Sequence, residues 1–371
     1  MNLLQESPTV YRRRSKTFRV AFICTTVSGV AKYRMGNFAW MMRKWPNVET
    51  VLWPYSASTT LQNPWQVDML SRPDIMQTID DLCDKADVVV WQTLDFPHSW
   101  DLWQSMKLRH QKPFFLELDD YISDIPPDHE AYEHYKGKRH KIIMAQMAHS
   151  DGLIVSTPYL AEQYKGRNAK IYVVPNSIDF REWKGLELRR HNRLRIGWIG
   201  GGTHGKDLEM VAPVLEELLS KYWKKDLWFY CVHGCPELYK KWPRVYHTLK
   251  WANINLYPRF MNSFKFDIGI APLEDNNFNR GKSNLRWLEY SALKIPCVAS
   301  PLPDFVWAIQ DGKTGFLASD LKDWKDSLTM LIELEGLRRE VGRAAYEKVK
   351  SDFNVVKTSR SYLQVLREVA A

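Results

Sequence analysis

Residues 278–300 read FNRGKSNLRWLEYSALKIPCVAS, and this run carries three signals in a fixed order. A polar turn (Asn279, Arg280, Gly281, Lys282, Ser283) leads into an amphipathic segment with a single acid, Glu289, and the run closes on the short apolar strand 296–299. Two cations, several backbone donors and a helix N-terminus favour an anion, because exposed N–H groups and the helix dipole both point positive charge outward. An acid two turns later can accept hydrogen bonds from hydroxyls of the same ligand. A ligand with phosphate at one end and hydroxyls at the other, such as a nucleotide sugar, suits the pattern.

Outward from this run, the same alternation of strand and helix fills the second half of the chain. RLRIGWIG at 193–200 precedes an expected helix at 206–223. LWFYCV at 227–232, VYHTLK at 245–250, a short helix near 255–262 and FDIGIAP at 266–272 then lead to the helix expected at 282–293. The first half has the same rhythm: FRVAFICT, a helix at 31–44, VETVLW, a helix, ADVVVWQ, a helix, PFFLEL, a long helix at 128–149, GLIVS and KIYVVP. Strand-length runs that are apolar throughout, and do not alternate, suit parallel strands covered on both faces. The fold class is therefore α/β, with two Rossmann-like doubly wound domains facing a cleft. We expect a loose arm at 1–16, a first domain at 17–180 and a linker at 181–192 within the polar stretch 176–192. A second domain follows at 193–345, and a terminal helical segment at 346–371. Ligands of open parallel sheets bind at the carboxyl ends of the strands, so the cleft is where function is expected.

Composition narrows the classes. At 371 residues the chain exceeds one ordinary core, and 45% apolar with 26% charged residues describes a globular protein. The net charge of +9 favours an anionic partner: a nucleotide, a nucleic acid or an acidic membrane face. No apolar run reaches the roughly 18–20 residues that span a bilayer, and the apolar segment after Arg12, Arg13 and Arg14 is short for a secretory signal. The expectation is a cytoplasmic protein without a transmembrane segment, with peripheral contact to the inner membrane face possible in principle. The five cysteines are odd in number and sit mostly in apolar context, as free buried thiols do. Cys231 and Cys235 bracket His233, but no second ligand pair follows at zinc spacing, so no metal is expected.

GGGTHGK at 200–206 follows a strand and precedes a helix, the context of a phosphate loop. It departs from the magnesium-nucleotide version, since Asp207 stands where Ser or Thr is needed, and its carboxylate would repel phosphates. It departs from the dinucleotide version as well, since Asp226 precedes the next strand instead of ending it. What remains is a turn of Gly201, Gly202 and Thr203 with Lys206 aimed at a diphosphate; a plain tight turn is the competing reading. Gly29 opens the helix after the first strand, where it would let a ligand approach the backbone, or simply make the turn. Asp119 and Asp120 end the strand PFFLEL at the cleft edge, where a carboxylate can orient sugar hydroxyls or take a proton, bind a metal, or cap a turn. Tyr33 and Arg34 near Gly29, and Asn176 at the hinge, are candidates for the acceptor side. The histidines at 98, 129, 134 and 149 make no triad or metal spacing, and the sixteen tryptophans, Trp40, Trp198 and Trp287 among them, read as core.

From residue 18 onward the chain resembles the family 4 glycosyltransferases of the two-Rossmann (GT-B) type. The likeness rests on PFFLELDDYISDIPP, SDGLIVSTPYLAEQY, VVPNSID, NRGKSNLRWLEYSALKIPCVAS and DGKTGFLA in this order. The resemblance implies transfer of a sugar from a nucleotide diphosphate, UDP or GDP, with retention at the anomeric carbon and no required metal or other cofactor. It implies that Glu289, as the second acid of the E-x7-E motif, holds the donor ribose, and that Lys206 meets the diphosphate. It implies terminal helices crossing back to the first domain. Two departures stand out: the first acid of that motif falls at Gly281, and the arginine that precedes the lysine falls among Gly200–Gly202. Arg280, Lys282, Ser283 or Asn284 is expected to supply the missing contacts. Asp119 stands near a position where relatives place a histidine on the donor sugar. The acceptor expected from the resemblance is a glycan or lipid-linked glycan; the basic charge also suits DNA, as in phage enzymes that glycosylate a hydroxymethylated base within the host cytoplasm. From another class, a non-catalytic nucleotide- or nucleic-acid-binding protein would have no need of Glu289 and a cleft acid together.

Overall fold

The computed structural model describes residues 17–24, 29–53, 73–94, 98–186, 192–201, 204–250 and 252–370. The expected arm, Gly202 and Thr203 lie outside the described residues.

Two parallel sheets of six strands build the molecule. The first contains β1 (Phe18–Ile23), β2 (Val48–Trp53), β3 (Val88–Gln92), β4 (Phe114–Leu118), β5 (Gly152–Val155) and β6 (Ile171–Val173), in the order β2-β1-β3-β4-β5-β6. The second contains β7 (Leu194–Ile199), β8 (Leu227–Val232), β9 (Val245–Thr248), β10 (Ile268–Ala271), β11 (Cys297–Ala299) and β12 (Phe316–Leu317), in the order β12-β11-β10-β7-β8-β9. Every residue of β3 and β4 is buried, as strands with helices on both faces must be. The two-Rossmann architecture is thus as the sequence implies, with one difference. The second sheet has the dinucleotide-fold order, and the first, among the described residues, has the flavodoxin-like order. Local sequence pattern is the same for both, because strand order is decided by long-range pairing.

The chain switches domains at two places. After β6 it passes through Ile178, whose N–H donates to the Phe353 carbonyl at 2.8 Å, and whose carbonyl accepts from the Val355 N–H at 3.1 Å. The two crossings are therefore stitched to each other. Helix Glu335–Asp352 stays with the second domain, whereas helix Val355–Ala370 returns to the first. There it buries Val355, Tyr362, Leu363 and Leu366 among Phe22, Phe38 and Val88. At about 1.5–3 kcal/mol for each large side chain taken from water, this face is ample to hold the helix down. The Tyr362 ring meets Phe38 and Phe22 edge-on, with centroids 5.2 and 6.1 Å away.

Several helices are shorter than their periodicity suggests, each for a local reason. The segment 128–149 breaks at Gly137, whose φ of +71° interrupts the helix before Lys138–His149. The segment 206–223 divides into Gly205–Glu209 and Ala212–Lys221. The helix expected at 282–293 begins at Leu285, with the N–H of its N-cap Asn284 satisfied by the Asp304 carboxylate at 2.7 Å. All five cysteines are buried free thiols. Among the described residues, no helix is long and apolar enough to cross a membrane.

Candidate active site

A cavity of about 260 Å³ lies between the domains, at the carboxyl ends of both sheets. The first domain contributes Val30, Tyr33, Arg34, Asp119, Asp120 and Asn176 to its wall, and the second contributes Trp198, His204, Lys282, Ser283, Arg286 and Glu289 among others. Trp198 on β7 and Ala271 on β10 flank the point where strand order reverses in the second sheet, the place where open α/β sheets bind ligands.

The first-domain wall is set by a π-helical turn. The helix after β1 widens over Lys32–Gly36, a distortion common at functional sites, and Lys32, Tyr33 and Arg34 are all buried on it. Lys32 pairs with Glu182 at 2.6 Å. Arg34 pairs through Nε with Glu117 of β4 at 2.5 Å, and its Nη1 donates to the Val174 carbonyl at 2.7 Å and to Asn176 Oδ1 at 3.1 Å. Its Nη2 is buried and has no partner among the described residues. Glu117 is the one charged residue inside a fully buried strand, and burial holds its carboxyl above the ordinary value although Arg34 opposes the shift. At the end of β4, burial and the neighbouring acids Asp120 and Glu117 push Asp119 to about 8, so its carboxyl is protonated at neutral pH. The loop itself is pinned by Tyr164, whose hydroxyl donates to the Asp120 carbonyl and accepts from the Ile122 N–H, both at 3.0 Å.

The second-domain wall is the helix Leu285–Ala292 with the turn before it. Glu289 is buried beside two phenols: the Tyr257 hydroxyl donates to its Oε2 at 3.1 Å, and Tyr33 of the first domain also hydrogen-bonds it. Burial raises its pKa to about 7, with Arg286 and the two tyrosines pulling the other way. One turn earlier, the Arg286 guanidinium lies over the Trp198 ring, 5.1 Å from its centroid.

The turn 277–284 docks on the first domain instead of standing open. Lys282 pairs with Asp120 at 2.7 Å, Asn176 Nδ2 donates to Ser283 Oγ at 2.8 Å, and Asn277 donates to Asp124 at 2.6 Å. Phe278 joins the first domain's core and meets the His129 ring at a centroid distance of 4.6 Å. Gly281 is the point of closest approach: a Cβ built there would stand 2.8 Å from Tyr121 Cβ and 3.2 Å from its backbone nitrogen. The acid that relatives carry at this position has no room here.

The structure brings together Tyr33, Arg34, Asp119, Asp120, Asn176, Lys282, Ser283 and Glu289 on one cavity. It does not bring the other expected residues there. Lys206 is more than half exposed and ion-paired with Asp128 of the first domain, outside the cavity lining. Arg280 pairs with Asp275 at 2.6 Å, near the surface. Asn284 is buried, Gly201 lies on the loop after β7, and a Cβ built on Gly29 would meet Ile254 at an ordinary 3.6 Å, so the position demands no glycine. Asp207 is explained differently from the sequence reading. Its carboxylate is buried and accepts from the Glu274 N–H at 2.8 Å, Asn279 Nδ2 at 2.9 Å and His204 Nδ1 at 2.8 Å, so it fastens the glycine loop to the cationic turn. Sequence reasoning missed Arg286, His204 and Glu117. For Arg286 the available signal was its position three residues before Glu289, on the same helix face. Among the described residues, no group of three or more His, Cys, Asp or Glu side chains is disposed to hold a metal.

Residues 211–364 match the family described as "Glycosyl transferase-like". Trehalose synthase of Thermococcus litoralis is 34% identical over 71 residues, which is 19% of this chain and 17% of that protein's length. Among solved structures, Anabaena HepE in complex with UDP and glucose superposes at a TM-score of 0.67 and 12% identity, over 95% of this chain and all of that one. Sucrose-phosphate synthase from Thermosynechococcus elongatus does so at 0.65 and 12% identity, over 95% and 99%. The fold is the GT-B fold, and the likeness to family 4-type glycosyltransferases drawn from the sequence motifs is borne out.

Proposed function

We propose that this chain is a glycosyltransferase that moves a sugar from a nucleoside diphosphate to an acceptor hydroxyl, with retention at the anomeric carbon and without a metal. The observation that carries the reading is the composition of the cavity: a helix face with Arg286 and Glu289 on one side, and the buried Arg34 with Asp119 and Asp120 on the other. The second domain holds the nucleotide, with Glu289 accepting from ribose hydroxyls and Lys282 and Ser283 near the phosphates. The first domain holds the acceptor, with Tyr33, Arg34 and Asn176 on its side and Asp119 beside the transferred sugar. HepE, which shares the fold, was crystallised with UDP and glucose, and this supports a UDP-sugar as the first donor to try. In such a site the barrier falls chiefly because fixed cations and N–H groups stabilise the departing diphosphate while the acceptor is held on the same face. The acceptor we favour is a glycan or lipid-linked glycan.

The test is a thermal-shift panel of nucleoside diphosphates and nucleotide sugars on the full chain, followed by assay of nucleotide release with the ligand that shifts most. A ligand that binds only the native state raises the melting temperature. A UDP- or GDP-sugar that both stabilises the protein and turns over bears the proposal out. No stabilisation and no turnover with any of them overturns it.

A further inference from the structure

Two arginines of the cavity wall carry a buried nitrogen with no hydrogen-bond partner among the described residues; Arg34 Nη2 belongs to a guanidinium already paired with Glu117, and the other nitrogen is Nη1 of Arg286. A buried cationic donor without an acceptor is costly, so such groups are generally matched by something the site receives. The other candidate cations are matched already: Lys282 by Asp120, Lys206 by Asp128, and Arg280 by Asp275.

The surroundings of Arg286 hold its guanidinium in place. One face lies on Trp198, and the fork rests against the glycine loop, where a Cβ built on Gly200 would come within 2.7 Å of Nη2 and 2.8 Å of Nη1. A side chain at position 200 would crowd the guanidinium and the Trp198 ring beneath it, which the same Cβ would meet at 2.7 Å. A guanidinium stacked on an aromatic ring and presenting free N–H groups is suited to paired contacts with phosphate oxygens. Arg286 and Glu289 also stand three residues apart on one helix face, so one ligand can meet both side chains.

We infer that Arg286 is the ligand for the donor's diphosphate, delivered from the helix Leu285–Ala292 onto a glycine loop whose first residue, Gly200, leaves the space that its guanidinium occupies. The inference rests on the proposed nucleotide-sugar reading and names the residue that recognises the charged part of that ligand.

The experiment is titration calorimetry on the full chain with UDP and GDP, and with uridine and guanosine as phosphate-free probes, for the native protein, Arg286→Ala, Arg286→Lys and Gly200→Ala. Arg286→Ala should weaken diphosphate binding about ten- to a hundredfold and leave nucleoside binding unchanged, because only a charge-assisted contact is lost. Arg286→Lys should fall between the two, and Gly200→Ala should show the same selective loss by displacing the guanidinium. Unchanged diphosphate affinity in Arg286→Ala overturns the assignment and leaves the transferase reading standing. An equal loss of nucleoside and diphosphate binding overturns it too, since that is what a purely structural arginine would give. If Arg286→Ala fails to fold, Arg286→Lys and Gly200→Ala decide on the same criterion. A native protein that binds neither diphosphate sinks both readings.

Discussion

The two walls of the cavity manage charge in opposite ways. On the first-domain wall the charges are largely quenched from within: Arg34 is paired with Glu117 and leaves only its Nη2 without a partner among the described residues, and burial and acidic neighbours raise the pKa of Asp119 to about 8. On the second-domain wall the cations are either unmatched within the described residues, as at Arg286 Nη1, or matched only by acids across the gap, as at Lys282 with Asp120. A wall with neutralised groups suits the hydroxyls of an acceptor and a sugar, and a wall with uncompensated positive charge suits a diphosphate. The difference also implies that the ion pair bridging the gap must yield when an anion enters. A docked nucleotide and Asp120 compete for Lys282.

The largest effect is expected where the walls touch. Gly281 packs against Tyr121 so closely that even a methyl group would meet a backbone atom. Placing an acid there with Gly281→Glu should therefore wedge the domains apart. We expect catalytic turnover to fall by about a hundredfold or more, since small misplacements of reacting groups are that costly, and the radius of gyration in small-angle scattering to rise. Full activity and unchanged scattering would mean that the contact is incidental to the working cleft.

Next comes the second wall's acid. Glu289→Ala should cut kcat/KM by about ten- to a hundredfold, the size of a lost charge-assisted hydrogen bond. The same group gives a pH signature. Its carboxyl is raised from the ordinary 4.5 to about 7, so between those pH values the native state binds a proton that the unfolded chain has released. Stability contributed at pH 4.5 and below is then lost as pH rises through about 7. Asp304, raised by burial to about 7, acts in the same direction. The native protein should melt several degrees lower at pH 8 than at pH 5, and Glu289→Gln should flatten the slope. A melting temperature that rises across this window would contradict both assignments.

A smaller effect separates the two aspartates of the first wall. Asp119 is neutral at pH 7, so Asp119→Asn replaces a protonated acid by an isostere and should change turnover by less than about fivefold. Asp120→Asn removes the partner of Lys282, and UDP should bind it about three- to tenfold more tightly because a competing carboxylate has gone. If the two variants behave alike, the walls are not divided as described.

How much of this was legible in the sequence depends on how local the cause is. Unbroken apolar runs such as VVVWQ and FFLEL announce parallel strands buried on both faces, and the two-domain layout follows. The order of the first sheet was not legible, since both halves carry the same local pattern and pairing across distance decides the rest. Glu289, Lys282, Ser283 and the acids after β4 were found because a motif or a strand end marked them. Arg286 was not, because a lone arginine in a helix ordinarily reads as a solvated face, and only the fold puts Trp198 and Gly200 against it. Asp207 was misjudged for the same reason: its carboxylate serves three donors contributed by His204, Glu274 and Asn279, which no spacing rule connects. The π-helical turn that sets Tyr33 and Arg34 on the cavity leaves no signature in SGVAKYRMGN at all.

Lys206, expected from the sequence to meet the diphosphate, gives the smallest expected effect and the sharpest comparison with Arg286. Lys206 follows the glycine loop and Arg286 rests against Gly200 at its start. Lys206 is more than half exposed and held by Asp128, itself exposed, in a pair that solvent screens, so removing it should leave the melting temperature unchanged within error. Should Lys206 serve the diphosphate, it must first leave Asp128, and Asp128→Asn would then raise nucleotide affinity as Lys206→Ala lowers it. We expect Lys206→Ala to reduce turnover by less than about threefold, with Arg286→Ala the more damaging of the two, because a contact made at the rim through solvent carries less of the transition-state charge than one made inside the cavity. A loss with Lys206→Ala that equals or exceeds the loss with Arg286→Ala would return the phosphate to the loop and leave Arg286 a prop for Trp198.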